Sequence, residues 1–148
     1  MTKDNTVKIM QSIQSELKAP KGQTNKFGGY SYRSAEDILE AVKPLLNKYN
    51  CFLTVSDEIV EVGGRVYVKA TATVHESHSD SIAVTTAFAR EAEVKKGMDD
   101  AQITGSASSY ARKYALNGLF AIDDTKDPDA TNKHGKGKSL PVVTTTEF

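Results

Sequence analysis

The sequence predicts an α+β fold in which an antiparallel hairpin or meander of about three strands packs against about three helices. Three consecutive runs are rich in valine, threonine and aromatic residues, and stretches with helical periodicity precede and follow them. The chain has 148 residues, which fits one folded domain. We expect residues 1–122 to form that domain. Residues 123–148 are charged and thinly apolar, so they are predicted to be a flexible, disordered tail.

The first element is predicted to be a helix, followed by an irregular segment. Between Val7 and Leu17, apolar residues recur at three- and four-residue spacing, which predicts about three helical turns. From Lys18 to Gly29 the chain carries a proline and several glycines among lysines. This segment is expected to lack regular structure and to form a mobile cationic loop that includes Lys26.

A second helix is predicted from a capping pattern. Ser34 and Asp37 have the spacing of a capping box, and an apolar helical stripe continues from there to Tyr49. Pro44 lies inside this stripe, where a proline costs about 3 kcal/mol unless the helix kinks. The helix is therefore expected either to bend near Ala41 or to be shorter than the stripe.

Three runs are predicted to be strands: Cys51 to Val62, Arg65 to His75 and Ser81 to Arg90. Gly63 and Gly64 lie between the first two runs and suit the positive φ angles of a tight hairpin turn. In the second run, valines and alanines alternate with polar residues. One face is therefore predicted to be core, and the other, with Arg65, Tyr67 and Lys69, to be wet, basic and aromatic.

A third helix is predicted after the strands. Asp99 and Asp100 provide the negative charge that helix N-termini favour. The helical stripe that follows is Ile103, Ala107, Ala111, Tyr114 and Ala115. We expect this helix to run to about Asn117, with Gly118 as its stop signal, and Leu119 to Ile122 to pack back on the core.

Composition restricts the functional classes. The 19 basic and 19 acidic residues balance, so a polyanionic partner would require local segregation of charge. Cys51 is the single cysteine, which excludes an intrachain disulfide and a CxxC pair and favours a reducing, cytoplasmic setting. No run approaches the roughly 20 apolar residues of a membrane span, so a protein outside the membrane is expected.

The segment from Gly28 to Ser34 combines groups that suit single-stranded nucleic acid. It places Tyr30, Tyr32 and Arg33 just ahead of a helix N-terminus and beside the lysine-bearing loop, in which Lys26 is a further candidate contact. Bases stack on aromatic side chains for about 1–3 kcal/mol each, and cations neutralise phosphates. The residues leave an alternative open, in which the tyrosines pack the helix against the sheet and the arginine pairs with an acid.

Two further groups are candidates for DNA contact. Arg65 and Lys69 project together from the polar face of the second strand, and Arg112 and Lys113 are adjacent in the third helix. The first pair could equally belong to an ordinary solvated face, and the third helix could equally pack on another helix or a neighbouring subunit. Whether DNA lies on the sheet or against the third helix stays open at this point.

The stretch from Met98 to Asp124 contains a Ser-Tyr-Ala-Arg-Lys-Tyr-Ala-Leu run ahead of an Asp-rich close. Upstream, Tyr30-Ser-Tyr-Arg-Ser34 is followed by Glu-Asp-Ile. Both motifs resemble those of the essential-recombination-function (ERF) family of phage single-strand annealing proteins. The resemblance spans roughly Val7 to Ala130.

This resemblance implies a non-enzymatic protein that binds single-stranded DNA and anneals complementary strands during phage homologous recombination, without ATP or any other cofactor. It implies a fold similar to the core of the eukaryotic annealing recombinases, and a homo-oligomeric ring or filament in the cytoplasm of a bacterial host. A phage or host single-stranded-DNA-binding protein or an exonuclease is a further possible partner. The implied DNA contacts are Tyr30, Tyr32, Arg33, Arg112 and Lys113.

Two enzyme classes, a Walker-type ATPase and a metal-dependent nuclease, fit the sequence less well. The nearest phosphate-loop string, Gly137-Lys138-Ser139, has Asn132 where the first glycine belongs, which excludes a Walker-type ATPase. A metal-dependent nuclease would use the aspartates Asp99, Asp100, Asp123, Asp124, Asp127 and Asp129. Helix capping and a solvated linker account for these residues better.

Two alternatives remain. Cys51 with His75 or His78 could form a nucleophile and base, although a buried cysteine and surface histidines are the commoner outcome. An oligomeric adaptor without DNA binding also fits the small-residue helix face. Its discriminating property is the absence of affinity for oligonucleotides.

Overall fold

The computed structural model describes residues 3–77, 81–93 and 97–122. The helices and strands in these ranges are α1 (Lys3–Glu16), β1 (Gln23–Asn25), β2 (Tyr30–Tyr32), α2 (Ala35–Lys48), β3 (Cys51–Val62), β4 (Arg65–Glu76), β5 (Ser81–Arg90) and α3 (Asp100–Leu119). The predicted α+β class is confirmed. No described helix is long and apolar enough to cross a membrane. The tail, residues 123–148, lies outside the described residues, so the tail and the domain boundary stay predictions.

The larger sheet has the strand order β3-β4-β5, and both pairings are antiparallel. Its strands match the three predicted runs, with β4 one residue longer than expected. Gly63 and Gly64 have φ angles of 58° and 78°, which confirms the predicted hairpin turn between β3 and β4. The sheet is therefore specified by local signals, namely alternation along the strands and glycines between them.

One face of this sheet forms the core with all three helices. On β4 the alternate residues Val68, Ala70, Ala72 and Val74 are buried, as predicted. Opposite them, α3 presents a stripe of small buried residues at four-residue spacing: Ala107, Ala111 and Ala115. Alanines on both surfaces let the helix backbone approach the sheet closely. Larger side chains fill the space around this contact: Ile13, Ile38, Leu116 and Phe120.

Helix α2 is not shortened by its internal proline. It continues through Pro44 to Lys48, so the expected shorter helix is not observed. Proline removes one helical hydrogen bond, but Val42 and Leu46 on either side of it are buried in the core. The burial of this apolar stripe outweighs the local loss.

The prediction that Lys18 to Gly29 lacks regular structure is wrong. This segment contains β1, which pairs with β2 in a small antiparallel sheet. The turn between them is closed by Asn25, whose side-chain Oδ1 accepts hydrogen bonds from the backbone N–H groups of Phe27 (2.9 Å) and Gly28 (3.0 Å). Gly29 has φ 66° and donates its N–H to the Asn25 carbonyl at 2.8 Å. An asparagine side chain thus supplies the order that the glycines alone do not indicate.

The prediction that Gly118 stops the third helix is also wrong. Gly118 lies inside α3, and a Cβ atom there would sit 3.0 Å from the Thr85 side chain, so the glycine permits close approach to β5. The helix ends one residue later, at Leu119. The N–H of Ile122 donates to the Asn117 carbonyl (3.0 Å), with Ala121 in the left-handed region at φ 51°. This is a Schellman-type end with alanine where glycine is usual.

We expect Ala121→Gly to raise the free energy of unfolding by about 0.5–1 kcal/mol, because glycine has no Cβ to clash in the left-handed conformation. Urea denaturation followed by circular dichroism measures the change. Ala41→Gly, inside α2, is the matched control and should lower the same free energy by about 0.5–1 kcal/mol. A loss of stability in both variants would contradict the assignment of strain to Ala121.

Candidate nucleic-acid interface

A groove of about 460 Å³ lies between the β1–β2 hairpin, the start of α2 and one flank of α3. One wall contains Tyr30, Tyr32, Arg33 and Ser34, and the other contains Ser109, Tyr110, Lys113 and Tyr114. The fold therefore brings together the two motifs that the sequence singled out, although about 75 residues separate them in the chain.

Each wall carries a pair of tyrosines. The rings of Tyr30 and Tyr32 have their centroids 6.2 Å apart at an interplanar angle of 63°. Those of Tyr110 and Tyr114 are 6.3 Å apart and closer to parallel, at 24°. Both α3 tyrosines are about half exposed, at 51% and 48%. The groove thus offers aromatic surface to a ligand from two sides.

Tyr114 was predicted to belong to the core stripe of the third helix, and this is wrong. Tyr114 is 48% exposed and lines the groove, at the margin of the stripe that faces the sheet. Tyr110 precedes Tyr114 by four residues and lies on the same flank. Tyr110 was not among the predicted site residues, although its four-residue spacing from Tyr114 indicates a shared helix flank.

Lys113 belongs to the α3 wall, and its ammonium group lies between the two walls. Its Nζ is 5.9 Å from the centroid of the Tyr32 ring and 6.0 Å from that of Tyr114. Such cation–π contacts contribute about 0.5–1 kcal/mol at exposed sites. Within the described part of the chain, no carboxylate forms a salt bridge with this ammonium group. The groove therefore combines aromatic faces with the positive charge of the Lys113 ammonium group.

Arg33 has a different environment from Lys113. Its side chain is buried, at 7% exposure, and its Nε donates a hydrogen bond to the carbonyl of Ala19 at 2.7 Å. This bond ties the segment after α1 to the start of α2. Arg33 is therefore a mostly buried part of the groove lining, where it supports the wall that carries Tyr30 and Tyr32.

The hairpin is attached to α2 through Asp37. The predicted capping box is confirmed: Asp37 Oδ2 accepts from the Ser34 N–H at 2.8 Å, and Ser34 Oγ accepts from the Asp37 N–H at 3.2 Å. Gln23 of β1 also donates to the Asp37 carboxylate, at 3.3 Å. The Ser34 backbone N–H, with help from Gln23, holds the pKa of Asp37 below its usual range.

Asp37→Asn should therefore lower the melting temperature at neutral pH, because the amide loses the charge that these donors stabilise. A lowered folded-state pKa means that the stabilisation is complete above the unfolded pKa, about 3.9, and is lost as the pH falls through the folded value. The difference in melting temperature between wild type and variant should therefore shrink as the pH falls through the folded-state pKa of Asp37. Glu36→Gln, an exposed change in the same helical turn, is the control. A pH-independent difference for Asp37→Asn would contradict this role.

The remaining candidates lie elsewhere. Arg112 points away from the groove, and its Nε pairs with Asp57 of β3 at 3.1 Å, which ties α3 to the sheet. Arg65 and Lys69 lie on the sheet face opposite the helices, as the strand pattern predicted. Lys26 is exposed in the turn between β1 and β2. Apart from Arg112, the predicted DNA contacts therefore divide between the groove with its adjoining hairpin and a separate surface behind the sheet.

That second surface, called here the open sheet face, also carries exposed aromatic rings. Phe52 on β3 and Phe88 on β5 are 54% and 52% exposed. His75 stacks on Phe52 with ring centroids 4.5 Å apart, and the Nζ of Lys69 lies 5.9 Å from the Phe88 centroid. The sheet itself separates this face from the groove, so the two surfaces cannot form one site within a single chain.

The geometry excludes a dyad of Cys51 and His75. Phe52 is the cross-strand partner of His75, while Cys51 pairs with Glu76, so the two side chains project from opposite faces of the sheet. Burial, followed by the nearby charge of Glu76, raises the pKa of the Cys51 thiol, which disfavours the nucleophilic thiolate. His78 lies outside the described residues.

Asp99 has a structural role at the start of α3. Its Oδ1 accepts from the Gln102 N–H and its own N–H donates to the Gln102 side chain, both at 2.9 Å. This capping box confirms the assignment of Asp99 to a helix N-terminus. The carboxylates from Asp123 onward lie outside the described residues. Among the residues that are described, no group of three metal-ligating side chains forms a cation site.

Comparison with known proteins places this chain in a family. The family model described as the ERF superfamily matches residues 7–146. The chain is 56% identical over 139 residues to the Essential recombination function protein of Salmonella phage P22, a match that covers 92% of this chain and 64% of that relative. It thus spans less than two thirds of the relative's length. No solved structure matches, so the likeness to the eukaryotic annealing recombinases stays a prediction. The chain belongs to the ERF superfamily.

Proposed function

We propose that the groove binds single-stranded DNA and that the protein promotes annealing of complementary strands in phage recombination, in the host cytoplasm and without a nucleotide cofactor. The observation that carries this proposal is the position of Lys113, whose ammonium group lies between Tyr32 and Tyr114 in a groove with tyrosines on both walls. Membership of the ERF superfamily, and the recombination role in the name of the phage P22 relative, support it.

The groove's groups match the two parts of a nucleotide. Tyrosine rings accept any base by stacking, for about 1–3 kcal/mol per base, and do not read its hydrogen-bonding edge. Lys113 neutralises a phosphate, which is equally independent of sequence. A strand held in this way keeps its Watson–Crick edges available to a complementary strand. Base pairing then supplies the free energy of annealing, and no chemical step by the protein is required.

The first test is fluorescence anisotropy of a labelled single-stranded oligonucleotide, without nucleoside triphosphate, at two salt concentrations and with duplex competitor. We expect salt-sensitive binding that prefers the single strand, followed by accelerated pairing of complementary strands. Lys113→Gln should weaken binding on all sequences and reduce the slope of log K against log salt by about 0.7, the value for one phosphate contact to a single strand.

Lys43→Gln is the matched control, since Lys43 is exposed on α2 and pairs with Glu40 at 2.8 Å. It should leave both affinity and slope unchanged. A folded, oligomeric protein without affinity for the oligonucleotide would contradict the proposal and favour the adaptor alternative. Metal-dependent shortening of the oligonucleotide would instead favour a nuclease.

We also propose that the protein self-associates into a ring or filament, because two features of the sheet favour contact between copies. The open sheet face exposes large apolar side chains, namely Phe52, Val62, Val84 and Phe88. In the described residues, β3 and β5 each pair only with β4, which leaves one edge of each strand available for pairing. Sedimentation velocity measures the assembly, and a monomer at micromolar concentration would contradict it.

A further inference from the structure

The turn between β1 and β2 presents a large aromatic side chain wholly to solvent. Phe27 has a relative exposure of 103%, the highest among the exposed large hydrophobic residues of the described chain. Exposed apolar surface of this size is unfavourable in water, and stacking on a flat partner would remove part of it from solvent. Its immediate neighbour Lys26 is exposed as well.

The turn that carries Phe27 is held in place by hydrogen bonds and packing. Asn25 closes it by accepting the N–H groups of Phe27 and Gly28. The same Asn25 donates its Nδ2 hydrogen to the Tyr30 hydroxyl at 2.9 Å. A Cβ atom on Gly28 would lie 2.2 Å from the Tyr30 ring, so that ring packs directly against the turn backbone. The turn and the groove wall therefore form one connected unit.

We propose that Phe27 stacks on an unpaired base of a DNA strand where that strand leaves the groove, with Lys26 beside the adjoining phosphate. This inference rests on the proposed function and extends its site to the hairpin. A strand longer than the groove must continue past its rim, and the rim next to Tyr30 is the turn that presents Phe27. An aromatic ring with a neighbouring cation repeats the pairing of tyrosine and lysine inside the groove.

The surroundings of Phe27 favour a nucleic-acid partner over a protein pocket. A protein anchor residue is typically surrounded by further contacts that exclude water. Phe27 is flanked instead by a lysine on one side and two glycines on the other, and all three are exposed. The flanks thus offer positive charge and open space, which suit a phosphate backbone whose bases stack one at a time.

The chain contains no tryptophan, so Phe27→Trp introduces a single fluorescent indole at the turn. The probes are an oligothymidylate and an abasic deoxyribose-phosphate oligomer of the same length. We expect the oligothymidylate to quench the indole emission in step with binding measured by anisotropy. The abasic oligomer should bind through its phosphates without comparable quenching. Phe52→Trp, on the open sheet face, is the control and should respond to neither probe.

Affinity measurements complete the test. Phe27→Ala should weaken binding of the oligothymidylate by about 5- to 150-fold, the range for loss of one base stack, and Phe27→Tyr should restore it. Phe27 makes no packing contact that would be lost, so both variants should have the wild-type circular dichroism spectrum.

Four results would overturn the inference. Wild-type affinity in Phe27→Ala would remove Phe27 from the site while leaving the groove proposal intact. Unquenched indole emission of Phe27→Trp in the DNA complex would have the same consequence. If Phe27→Ala forms a smaller assembly in sedimentation velocity but keeps the wild-type oligonucleotide affinity, Phe27 belongs to a contact between copies. Absence of binding by the wild-type protein would overturn both the proposed function and this inference.

Discussion

Replacing Tyr110 and Tyr114 together with alanine is expected to lower the affinity for a single-stranded oligonucleotide at least about thirtyfold, because two stacking surfaces are lost at about 1 kcal/mol or more each. Both side chains are about half exposed on the flank of α3, so their removal leaves the core intact. Fluorescence anisotropy measures the affinity. Urea denaturation checks that the free energy of unfolding is nearly unchanged.

The matched control is Phe52→Ala with Phe88→Ala, which removes two aromatic rings of similar exposure from the open sheet face. If DNA lies in the groove, this second variant binds a single strand of one-site length as the wild type does. The reverse pattern, with the phenylalanine variant defective and the tyrosine variant normal, would place the strand on the face that carries Arg65 and Lys69. The comparison therefore decides between the two DNA paths that the sequence left open.

Leu116→Ala is expected to have the largest effect on stability, a loss of about 2–5 kcal/mol in the free energy of unfolding. Leu116 is fully buried in α3, where it fills part of the space between this helix and the rest of the core. Deleting its side chain removes buried apolar surface and leaves a cavity. Urea denaturation followed by circular dichroism measures the loss.

Leu39→Ala is the control, since Leu39 packs against the same core but is only partly buried. Its replacement should cost clearly less than that of Leu116. Equal losses in the two variants would contradict the placement of Leu116 at the centre of the core. Where Leu116→Ala remains folded, its oligonucleotide affinity should be close to that of the wild type, because the Leu116 side chain does not line the groove.

The larger sheet was predictable because its signals are local. Alternation along β4 and the two glycines after β3 depend only on neighbouring residues, and the structure confirms both. The errors arose where one specific side-chain contact decides the outcome. Gly118 resembles a helix stop in sequence, yet its small size serves the approach of α3 to Thr85. The β1–β2 hairpin depends on the side chain of Asn25, which a count of glycines and lysines does not capture.

The candidate site was predictable as a set of motifs but not as a surface. Sequence alone does not distinguish a buried cation from an accessible one, so Arg33 and Lys113 were treated alike. The fold gives the first an internal partner in Ala19 and leaves the second between aromatic rings. Arg112 and Lys113 are adjacent in sequence, but about 100° of helix rotation directs one to Asp57 and the other into the groove.

The alanine stripe of α3 affects the groove, although none of the three alanines lines it. One wall moves with α3, and the position of that helix above the sheet is set by the methyl groups of Ala107, Ala111 and Ala115 against Ala70 and Ala72. A bulkier residue at any of these five positions would lift the helix and carry its tyrosines with it. The spacing between the walls, and thus the thickness of the ligand that fits between them, is set from within the core.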